Sequence, residues 1–484
     1  MRSIVVGGVS SGVGKTTIAC ALMAAYRRRG HRVQPFKAGP DYIDPSHHSV
    51  AAGTESRNLD SVLVPPANLR TLFARSAGLA DIAIIEGVMG LFDGRNDRGE
   101  EGSTAQIAKL VGAPVVVVID VARTARSAGA IALGCVRFDP TVRIVGFILN
   151  RVASSAHARS ASEAIESATG LPVLGSFPRD AEFTLPERHL GLVPTAESVP
   201  GSEFIGRLVD TAEQHLDLDR IWALANRAVP ATVNDQDTLL RSATGSPEQG
   251  ARPDFVGLTW DTPDLFPTER VSRHATIAVA QDAAFNFYYA DNLDLLRAWG
   301  AELAPFSPLD DARLPDGTQG VYLGGGFPEV YAEQLANNAV MRASLCDAAA
   351  AGLPIYGECG GLMYLGDTLT DFNGKRHEMA GVLPLNSIMQ RRRATLGYRS
   401  ATALRPSPLL PSGAQTMGHE FHYSELLAPV ATGRAAYRLT ERDGAEEGYA
   451  RGNILASYVH LHFGSDPAIV QRFIAACARQ QPTV

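Results

Sequence analysis

The sequence is poor in cysteine and has no long hydrophobic run. Its five cysteines, at positions 20, 135, 346, 359 and 477, are scattered without CxxC spacing, which argues against a disulfide framework or a zinc site and favours a reducing compartment. The longest apolar runs, such as Ala113–Ile119, have the length of a strand and are too short to span a bilayer. Because Met1–Val6 runs directly into glycines without the pattern of a secretion signal, we expect a cytoplasmic protein.

The sequence also lacks an excess of positive charge. The net charge is −7 and the sequence pI is about 6.0. A chain with this balance has no general electrostatic attraction for nucleic acid or for an anionic membrane surface. We therefore predict neither nucleic acid nor a membrane as a partner, and we expect local groups to hold any anionic ligand.

The length of 484 residues predicts more than one domain, since a single hydrophobic core stops growing at roughly 250–300 residues. Short β-branched runs alternate with Ala-rich segments of helical period up to about residue 193, and a second alternation of this kind begins at residue 276. Pro, Asp, Ser, Gly and Gln crowd together between the two. We predict an α/β protein with a first domain at 1–225, a linker at 226–273 and a second domain at 274–484.

The predicted strands are the apolar runs of each half. The alternation predicts a mostly parallel, doubly wound sheet in the first half. The runs are Ser3–Val6, Val33–Phe36, Ile82–Ile85, Val115–Ile119 and Ile144–Leu149 in the first half, and 276–280, Gly320–Leu323, Pro354–Tyr356 and Ile454–Tyr458 in the second.

A glycine-rich segment, Gly8–Thr17, follows the first predicted strand and leads into a helix of alanines and leucines. Small residues allow backbone N–H groups to surround phosphate oxygens at a helix N-terminus, while a lysine supplies charge and a threonine hydroxyl binds Mg²⁺. The predicted ATP-binding residues of this loop are Gly12, Val13, Gly14, Lys15, Thr16 and Thr17. The standard P-loop spacing requires glycine where Val9 stands, and the variant spacing is similar to that of dethiobiotin synthetase.

Acidic residues near the predicted strand ends fit a Mg·ATP centre. Glu86 follows the strand Ile82–Ile85, at the edge where parallel sheets bind ligands. Asp41 and Asp44 lie in the turn-rich segment Lys37–Pro45, and Asp93 lies in another such segment. A carboxylate at these positions is suited to hold the metal that bridges ATP phosphates, but the three aspartates are also typical turn caps, and both interpretations stay open.

A cysteine on a sharp turn marks a second candidate site. Pro354–Leu362 reads as a strand, a tight turn and the start of a helix, with Cys359 between glycines. This pattern favours a strained nucleophile with backbone N–H groups ready for an oxyanion. Gly324–Gly326 offers further backbone donors, and His460 offers an imidazole at the end of another predicted strand.

These features resemble the class I glutamine amidotransferases, in which a cysteine attacks the glutamine carboxamide, forms a thioester and releases ammonia. Most such domains have a glutamate two positions after the catalytic histidine, where this chain has His462. The departure is shared by the cobyric and cobyrinic acid branch, which the chain also resembles in Gly324–Glu329, Gly418–Ser424 and Tyr458–Phe463. It leaves open which group orients His460.

Over nearly its whole length the chain resembles the cobyrinic acid a,c-diamide synthase family, and the discriminating stretch is Lys37–Pro45. The resemblance implies a first domain that activates carboxylates with ATP and Mg²⁺ and a second domain that hydrolyses glutamine. It implies Cys359, His460, Asp41, Asp44 and Asp93 as catalytic residues, Tyr42 as a further ATP-site residue, and Thr16, Asp41 and Glu86 as metal ligands. The basic run Arg391–Arg393 is either a contact for substrate carboxylates or a solvated surface.

The implied reaction is ATP- and glutamine-dependent amidation of the a and c acetates of cobyrinic acid, through acyl phosphates, in cobalamin biosynthesis. The same reaction on hydrogenobyrinic acid or on a nickel sirohydrochlorin stays an alternative. A switch ATPase with a glutaminase domain retained for binding is a third, although Gly8–Ser11 lacks the extra lysine usual in such ATPases. A homodimer is left open. His47, His48, His419 and His422 are expected to have structural or substrate hydrogen-bonding roles.

Overall fold

The computed structural model describes residues 1–96, 99–179, 187–188, 191–192, 202–225, 264–269, 271–391 and 395–480. The chain divides into two compact units, of which the first comprises Met1–Ser61 and Leu69–Thr262 and the second comprises Val62–Asn68 and Pro263–Val484. Most of the predicted linker, namely residues 226–263 and 270, lies outside the described residues, as do Arg392 and Arg393 of the basic run.

The first unit is built on a parallel sheet of seven strands, in the order β3-β2-β4-β1-β5-β6-β7. Its middle strands are buried on both faces, as expected when helices cover a parallel sheet. The strands are β1 Arg2–Gly8, β2 Val33–Ala38, β3 Arg57–Leu59, β4 Ile82–Glu86, β5 Val115–Asp120, β6 Ile144–Val152 and β7 Val173–Pro178, and a separate pair is formed by β8 Glu187–Arg188 and β9 Gly191–Leu192.

Eight helices accompany this sheet among the described residues. The first is rich in Ala and Leu, which are strong helix formers, and begins directly after Gly14, whose φ of 93° suits glycine. The helices are α1 Lys15–Arg28, α2 Ile43–Ala52, α3 Pro66–Ala77, α4 Thr104–Val111, α5 Ser127–Phe138, α6 Ser155–Thr169, α7 Ser202–His215 and α8 Leu218–Leu224.

The sheet register places the predicted phosphate-site residues at one edge. Strand β1 lies between β4 and β5, so the loop that follows β1 lies beside the end of β4. Glu86 is the Cα partner of Val6 on one side and of Lys37 on the other. The carboxyl ends of β1, β2 and β4 therefore meet where a parallel sheet binds ligands.

The second unit contains a six-stranded sheet in the order β12-β10-β13-β15-β25-β24, parallel except at β24. Strand β15 lies in its interior between β13 and β25, which buries the residues that lead to Cys359. The strands are β10 Ala275–Ala280, β12 Ala301–Phe306, β13 Gly320–Leu323, β15 Ile355–Glu358, β24 Tyr449–Arg451 and β25 Ile454–Ser457.

Three smaller sheets complete the second unit. One is the pair β11 Phe285–Phe287 and β14 Gly325–Gly326. The next contains β16 Thr368–Thr370, β17 Arg376–Glu378, β18 Asn386–Met389 and β21 Ser424–Leu426. The last is antiparallel and contains β19 Thr395–Ala403, β20 Gln415–His422, β22 Tyr437–Leu439, β23 Ala445–Glu447 and β26 His460–Leu461. The α-helices are α9 Ala290–Ala298, α10 Ala332–Asn337, α11 Ala339–Ala350, α12 Gly360–Leu365 and α13 Pro467–Ala478, and two 3₁₀ turns span Thr440–Arg442 and Phe463–Ser465.

Each strand predicted from the sequence is present, with ends that differ by up to three residues. The α/β class and the parallel sheet of the first unit are confirmed. The antiparallel sheet around β19 and β20 was not predicted, although it carries His460. Within the described part of the chain, none of the helices has both the length and the apolar character needed to cross a bilayer.

Candidate active sites

The loop after β1 forms a cradle shaped by glycine. Gly12 and Gly14 have φ angles of 74° and 93°, in the left-handed region that favours glycine. A β-carbon at Gly14 would also lie 2.1 Å from Nδ2 of Asn150, whose amide donates to the carbonyl of Val13. Any larger residue at Gly14 would therefore disrupt the contact that holds the loop.

Lys15 lies at the start of α1 and folds back over the loop. Its ammonium donates to the carbonyls of Ser10, at 3.0 Å, and of Met89, at 2.6 Å. Burial, and then the nearby ammonium of Lys37, lowers the pKa of Lys15 to about 8. A bound phosphate would favour the charged lysine, so the geometry suits an anion in this loop.

Thr16 and Glu86 are brought together, as the sequence predicted. The Thr16 hydroxyl donates to Oε1 of Glu86 over 2.7 Å, and the Glu86 side chain is buried. Thr17 follows on the same helix and is half-buried, while Gly12 is exposed and Val13 is buried. The hydroxyl and carboxylate that would hold a metal therefore lie side by side.

Lys37 and His48 join this cluster, although neither was predicted to be catalytic. The Lys37 ammonium donates to Glu86 at 2.9 Å and to Asp44 at 2.5 Å, and Nε2 of His48 contacts the other Glu86 oxygen. Burial opposes the charges, but the ion pairs outweigh it and raise the pKa of Lys37 while lowering that of Glu86. The sequence feature that could have indicated this role is the position of Lys37 at the carboxyl end of β2, the edge at which parallel sheets bind ligands.

The two aspartates of the Lys37–Pro45 segment do different things. Oδ1 of Asp41 accepts from the N–H groups of Ile43, at 2.7 Å, and Asp44, at 3.3 Å, which caps the start of α2. Burial, with a contribution from Asp44, raises the pKa of Asp41 to about 7. Asp44 instead pairs with Lys37 and so joins the Glu86 cluster. The turn-cap interpretation thus applies directly to Asp41 and not to Asp44.

Two other residues predicted for the ATP site are Asp93 and Tyr42. Asp93 accepts a 2.9 Å hydrogen bond from the N–H of Gly90, as a turn cap does, and its charge also acts on Lys15. The Tyr42 side chain is buried, directly before α2. The structure therefore puts Asp93 close to the lysine of the loop but leaves the function of Tyr42 as a prediction.

The oxygen donors at Thr16 and Glu86 fit Mg²⁺, which prefers oxygen ligands and usually keeps several waters beside one or two protein groups and substrate phosphates. No group of three or more His, Cys, Asp or Glu side chains suited to a metal occurs among the described residues. A site that relies on phosphate oxygens needs no such group. Asp41 stays a predicted ligand.

Cys359 lies in the second unit on a strained turn between β15 and α12. Its φ of 48° and ψ of −94° are unusual for a residue with a side chain, and such strain is typical of functional sites. The turn is held by hydrogen bonds from Cys359 N–H to the carbonyl of Ser457, at 2.7 Å, and from Gly361 N–H to the carbonyl of Gly324, at 3.0 Å. The predicted sharp turn at Cys359 is present, and its role as a nucleophile stays a prediction.

The thiol is poorly solvated. Burial, followed by the charge of Glu329, raises the pKa of Cys359, while a hydrogen bond from the N–H of Gly360 acts in the opposite direction. Because the thiolate is the reactive form, such a cysteine needs a base to take its proton.

His460 and the triple glycine border the same turn. A β-carbon at Gly325 would lie 2.6 Å from Cε1 of His460, and one at Gly360 would lie 3.1 Å from the backbone nitrogen of Gly326. The glycines therefore allow the imidazole, the elbow and the backbone N–H groups to approach each other closely. A base and an oxyanion site are thus available near Cys359.

The antiparallel sheet supports this site with further histidines. His419 on β20 is the Cα partner of His460, and burial together with His460 lowers the pKa of His419 to about 3. His422 stacks on Tyr458 with ring centroids 3.9 Å apart and contacts the carbonyl of Ser424 through Nδ1. Both are buried and fit the structural roles expected of them.

Two family models match the chain. Residues 4–193 match the CobQ/CobB/MinD/ParA nucleotide binding domain. Residues 276–468 match the CobB/CobQ-like glutamine amidotransferase domain. The first match contains the phosphate cradle, and the second contains Cys359 and His460.

Curated relatives match the chain from end to end. A cobyrinate a,c-diamide synthase of Synechococcus sp. is 42% identical over 99% of both chains. The enzymes of that name from Listeria monocytogenes serotype 4b and Salmonella typhimurium are 43% and 40% identical, over 99% of this chain and 100% and 98% of theirs. Since identity at this level extends over both units, the chain belongs to the cobyrinate a,c-diamide synthase family.

Proposed function

We propose that this protein converts the a and c acetate carboxylates of cobyrinate to primary amides, with ATP as activator and glutamine as nitrogen donor. The observation that carries the proposal is that one chain holds both a phosphate cradle with Lys15 and a cysteine elbow with His460. An amide ligase fed by glutamine needs these two chemistries and no others. The relatives' shared name supports the choice of substrate.

In the glutaminase half, His460 takes the proton of Cys359 and the sulfur attacks the glutamine carboxamide. The backbone N–H of Gly326, close to the elbow, would stabilise the oxygen that becomes negative, whereas the N–H of Gly324 donates to the hydroxyl of Tyr288. The C–N bond then breaks, His460 returns the proton to the leaving nitrogen, and ammonia departs from a glutamyl thioester. Water hydrolyses the thioester to glutamate and restores the thiol.

In the ligase half, an oxygen of the substrate carboxylate attacks the γ-phosphate of ATP, which forms an acyl phosphate and releases ADP. Lys15 offsets charge on the transferred group, and the N–H groups of the loop hold the phosphates. Ammonia then attacks the acyl carbon, phosphate leaves, and the amide loses a proton. Two rounds consume two ATP and two glutamine molecules for each diamide.

Thr16 and Glu86, with Asp41 as a further ligand, would hold Mg²⁺ at this centre. When bound, the ion would balance the negative charge of the β- and γ-phosphates. Lys37 and Asp44, which already contact the Glu86 cluster, would fix the carboxylate and position the loop beside it. We further propose that the reaction takes place in the cytoplasm.

The experiment that tests the proposal measures phosphate release with cobyrinate, metal-free hydrogenobyrinate and nickel sirohydrochlorin in turn. Release should require ATP, glutamine and a tetrapyrrole together, and cobyrinate should give the highest kcat/KM. A higher kcat/KM with another tetrapyrrole would change the proposed substrate but would leave the proposed amidation reaction in place. If the rate of phosphate release depended on neither glutamine nor a tetrapyrrole, a switch ATPase would be favoured instead.

Glu86→Gln should lower ATP-dependent amide formation by about 10²-fold or more, because the neutral side chain cannot hold the metal or pair with Lys37. Glutamine hydrolysis at Cys359 should survive. Since removing one member of a buried ion pair costs about 3–5 kcal/mol, thermal unfolding must be followed in parallel. Glu100→Gln is the matched control, as Glu100 pairs with Lys109 outside the cradle. Normal turnover and Mg²⁺ dependence in Glu86→Gln would contradict the assignment.

Asp44→Asn and Asp41→Asn should separate the two interpretations of the Lys37–Pro45 segment. Asp44 pairs with Lys37, so its replacement should reduce carboxylate activation by roughly tenfold or more. Thermal unfolding is again followed in parallel, because the change breaks a largely buried ion pair. Asp41→Asn keeps the capping oxygen, and any loss of rate there reports a role at the ligase site. Product ratios and rates are measured by chromatography of the mono- and diamide. Wild-type values in both variants would leave Asp41 as a turn cap and Asp44 as a structural partner of Lys37, with no part in the reaction.

A further inference from the structure

Glu358 directly precedes the nucleophile and lies beside the catalytic imidazole. It is the last residue of β15, and its side chain and that of His460 are each about 1% exposed. Oε2 of Glu358 is 3.6 Å from Nδ1 of His460. The carboxylate therefore lies nearest Nδ1, while a β-carbon at Gly325 would lie 2.6 Å from Cε1 and 3.5 Å from Nε2.

Three donors fix this carboxylate. The hydroxyl of Tyr356 and the N–H of Leu461, at 3.0 Å, donate to Oε1, and the hydroxyl of Tyr322 donates to Oε2 over 3.1 Å. Leu461 directly follows His460, so the same carboxylate also holds the backbone that carries the imidazole. Both oxygens of the carboxylate therefore act as acceptors in the described structure.

The two tyrosines remain donors under all ordinary conditions. Burial, and then the charge of Glu358, raises the pKa of both Tyr322 and Tyr356 well above the usual value for a phenol. Their rings also stack on each other, with centroids 5.1 Å apart. The carboxylate thus has a fixed orientation with respect to His460.

The position two residues after His460 does not supply a charge. Nδ1 of His462 accepts a 3.1 Å hydrogen bond from the N–H of Gly464, which caps a short 3₁₀ turn. Burial lowers the pKa of His462 to about 3, so this imidazole is neutral at physiological pH. Its contact serves the local backbone and leaves the orientation of His460 to another group.

We propose that Glu358 is the positioning residue of the glutaminase site. Its carboxylate binds the Nδ1–H of His460, which leaves Nε2 to take the proton of Cys359, and stabilises the imidazolium that forms. The 3.6 Å separation is longer than a hydrogen bond, and such contacts tighten when substrate is bound. The inference rests on the proposed glutamine hydrolysis by Cys359.

The test compares Glu358→Gln with Glu447→Gln, measuring kcat and KM for glutamine and, separately, amide formation from ammonium salt. Glu447 is a matched buried glutamate whose oxygens accept from the Ser457 hydroxyl, at 2.6 Å, and the Tyr458 N–H, at 2.7 Å. Glu358→Gln should lower kcat on the order of 10²- to 10⁴-fold with little change in KM. Glu358→Asp should recover part of the loss, and Glu447→Gln should keep kcat.

A second variant covers the case in which Glu358→Gln does not fold. Tyr356→Phe removes one donor and keeps the carboxylate, and we expect a fall in kcat of roughly three- to tenfold. Wild-type kcat in a folded Glu358→Gln protein, equal losses in Glu447→Gln, or parallel loss of the ammonia-driven reaction would each overturn the inference. A wild-type protein that does not hydrolyse glutamine would overturn the proposed function instead.

Discussion

Replacing Cys359 with serine should abolish glutamine-dependent amide formation and leave ammonia-dependent amide formation intact. Glutamine-dependent activity should be lost because removing the nucleophile of an enzyme lowers kcat on the order of 10⁶-fold. Serine does not replace cysteine here, since its hydroxyl is far less acidic than a thiol. Ammonia-dependent amide formation should survive because Cys359 belongs to the second unit, whereas the phosphate cradle belongs to the first.

The measurement uses ammonium salt in place of glutamine, at a pH high enough to supply free ammonia. Diamide formation in Cys359→Ser should then reach the ammonia-driven rate of the wild type. Cys346→Ser is the matched control, as that half-buried cysteine of the same unit contacts only the carbonyl of Ala380 among the hydrogen bonds described. Normal use of glutamine by Cys359→Ser would mean that another group is the nucleophile.

Replacing Lys15 with alanine should give the opposite pattern. The Lys15 ammonium lies over the phosphate loop, and the loss of such a charge from a transferred phosphoryl group should lower amide formation by about 10²- to 10³-fold or more. Ammonia should not restore the reaction at any concentration, because the acyl phosphate is not formed. Glutamine hydrolysis should continue, so the two variants should fail at different steps.

Lys109→Ala tests whether the effect belongs to the loop. Lys109 pairs with Glu100 and Asp139 in the same unit and lies outside the cradle. We expect it to keep its amide-forming rate. If Lys15→Ala regained activity with ammonia, the lysine would have no part in activating the carboxylate, and the assignment of the cradle would be wrong.

Much of the fold followed from the sequence because local patterns determine it. The runs Ile82–Ile85 and Val115–Ile119 are apolar at every position and β-branched at all but Ala83, which is typical of strands buried on both faces, and both form parallel strands. The phosphate loop and the cysteine elbow could also be predicted from their glycines, since these occupy turns or close contacts that a larger residue would obstruct.

The contacts between segments far apart in the chain could not be predicted from local sequence patterns. Lys37 and His48 reach Glu86 because β2 lies beside β4 in the sheet, and the strand order of a doubly wound sheet depends on packing between elements far apart in the chain. In the antiparallel sheet that carries His460, β19 and β20 have mixed polarity, and β22, β23 and β26 have only two or three residues each, so the periodic signal is weak.

Glu358 illustrates the limit most clearly. Its place next to Cys359 was visible in the sequence, but the sequence left open which group orients His460, because His462 stands where most such domains have a glutamate. Only the pairing of Glu358 with Ser457 on β25 brings the carboxylate to the segment that contains His460. The position of Glu358 next to the nucleophile does not show where its side chain points, because successive side chains of a strand point to opposite faces.

Nitrogen released from glutamine at Cys359 should be transferred to carboxylates that ATP activates at the Lys15 loop. The most direct measurement is mass spectrometry of the tetrapyrrole after incubation with ATP and glutamine that carries a heavy nitrogen in its side-chain amide. We predict a product with two heavy nitrogens and an equal yield of glutamate and phosphate, and no labelled product from Lys15→Ala or Cys359→Ser. An unlabelled amide, or labelled ammonia that never reaches the tetrapyrrole, would contradict the account.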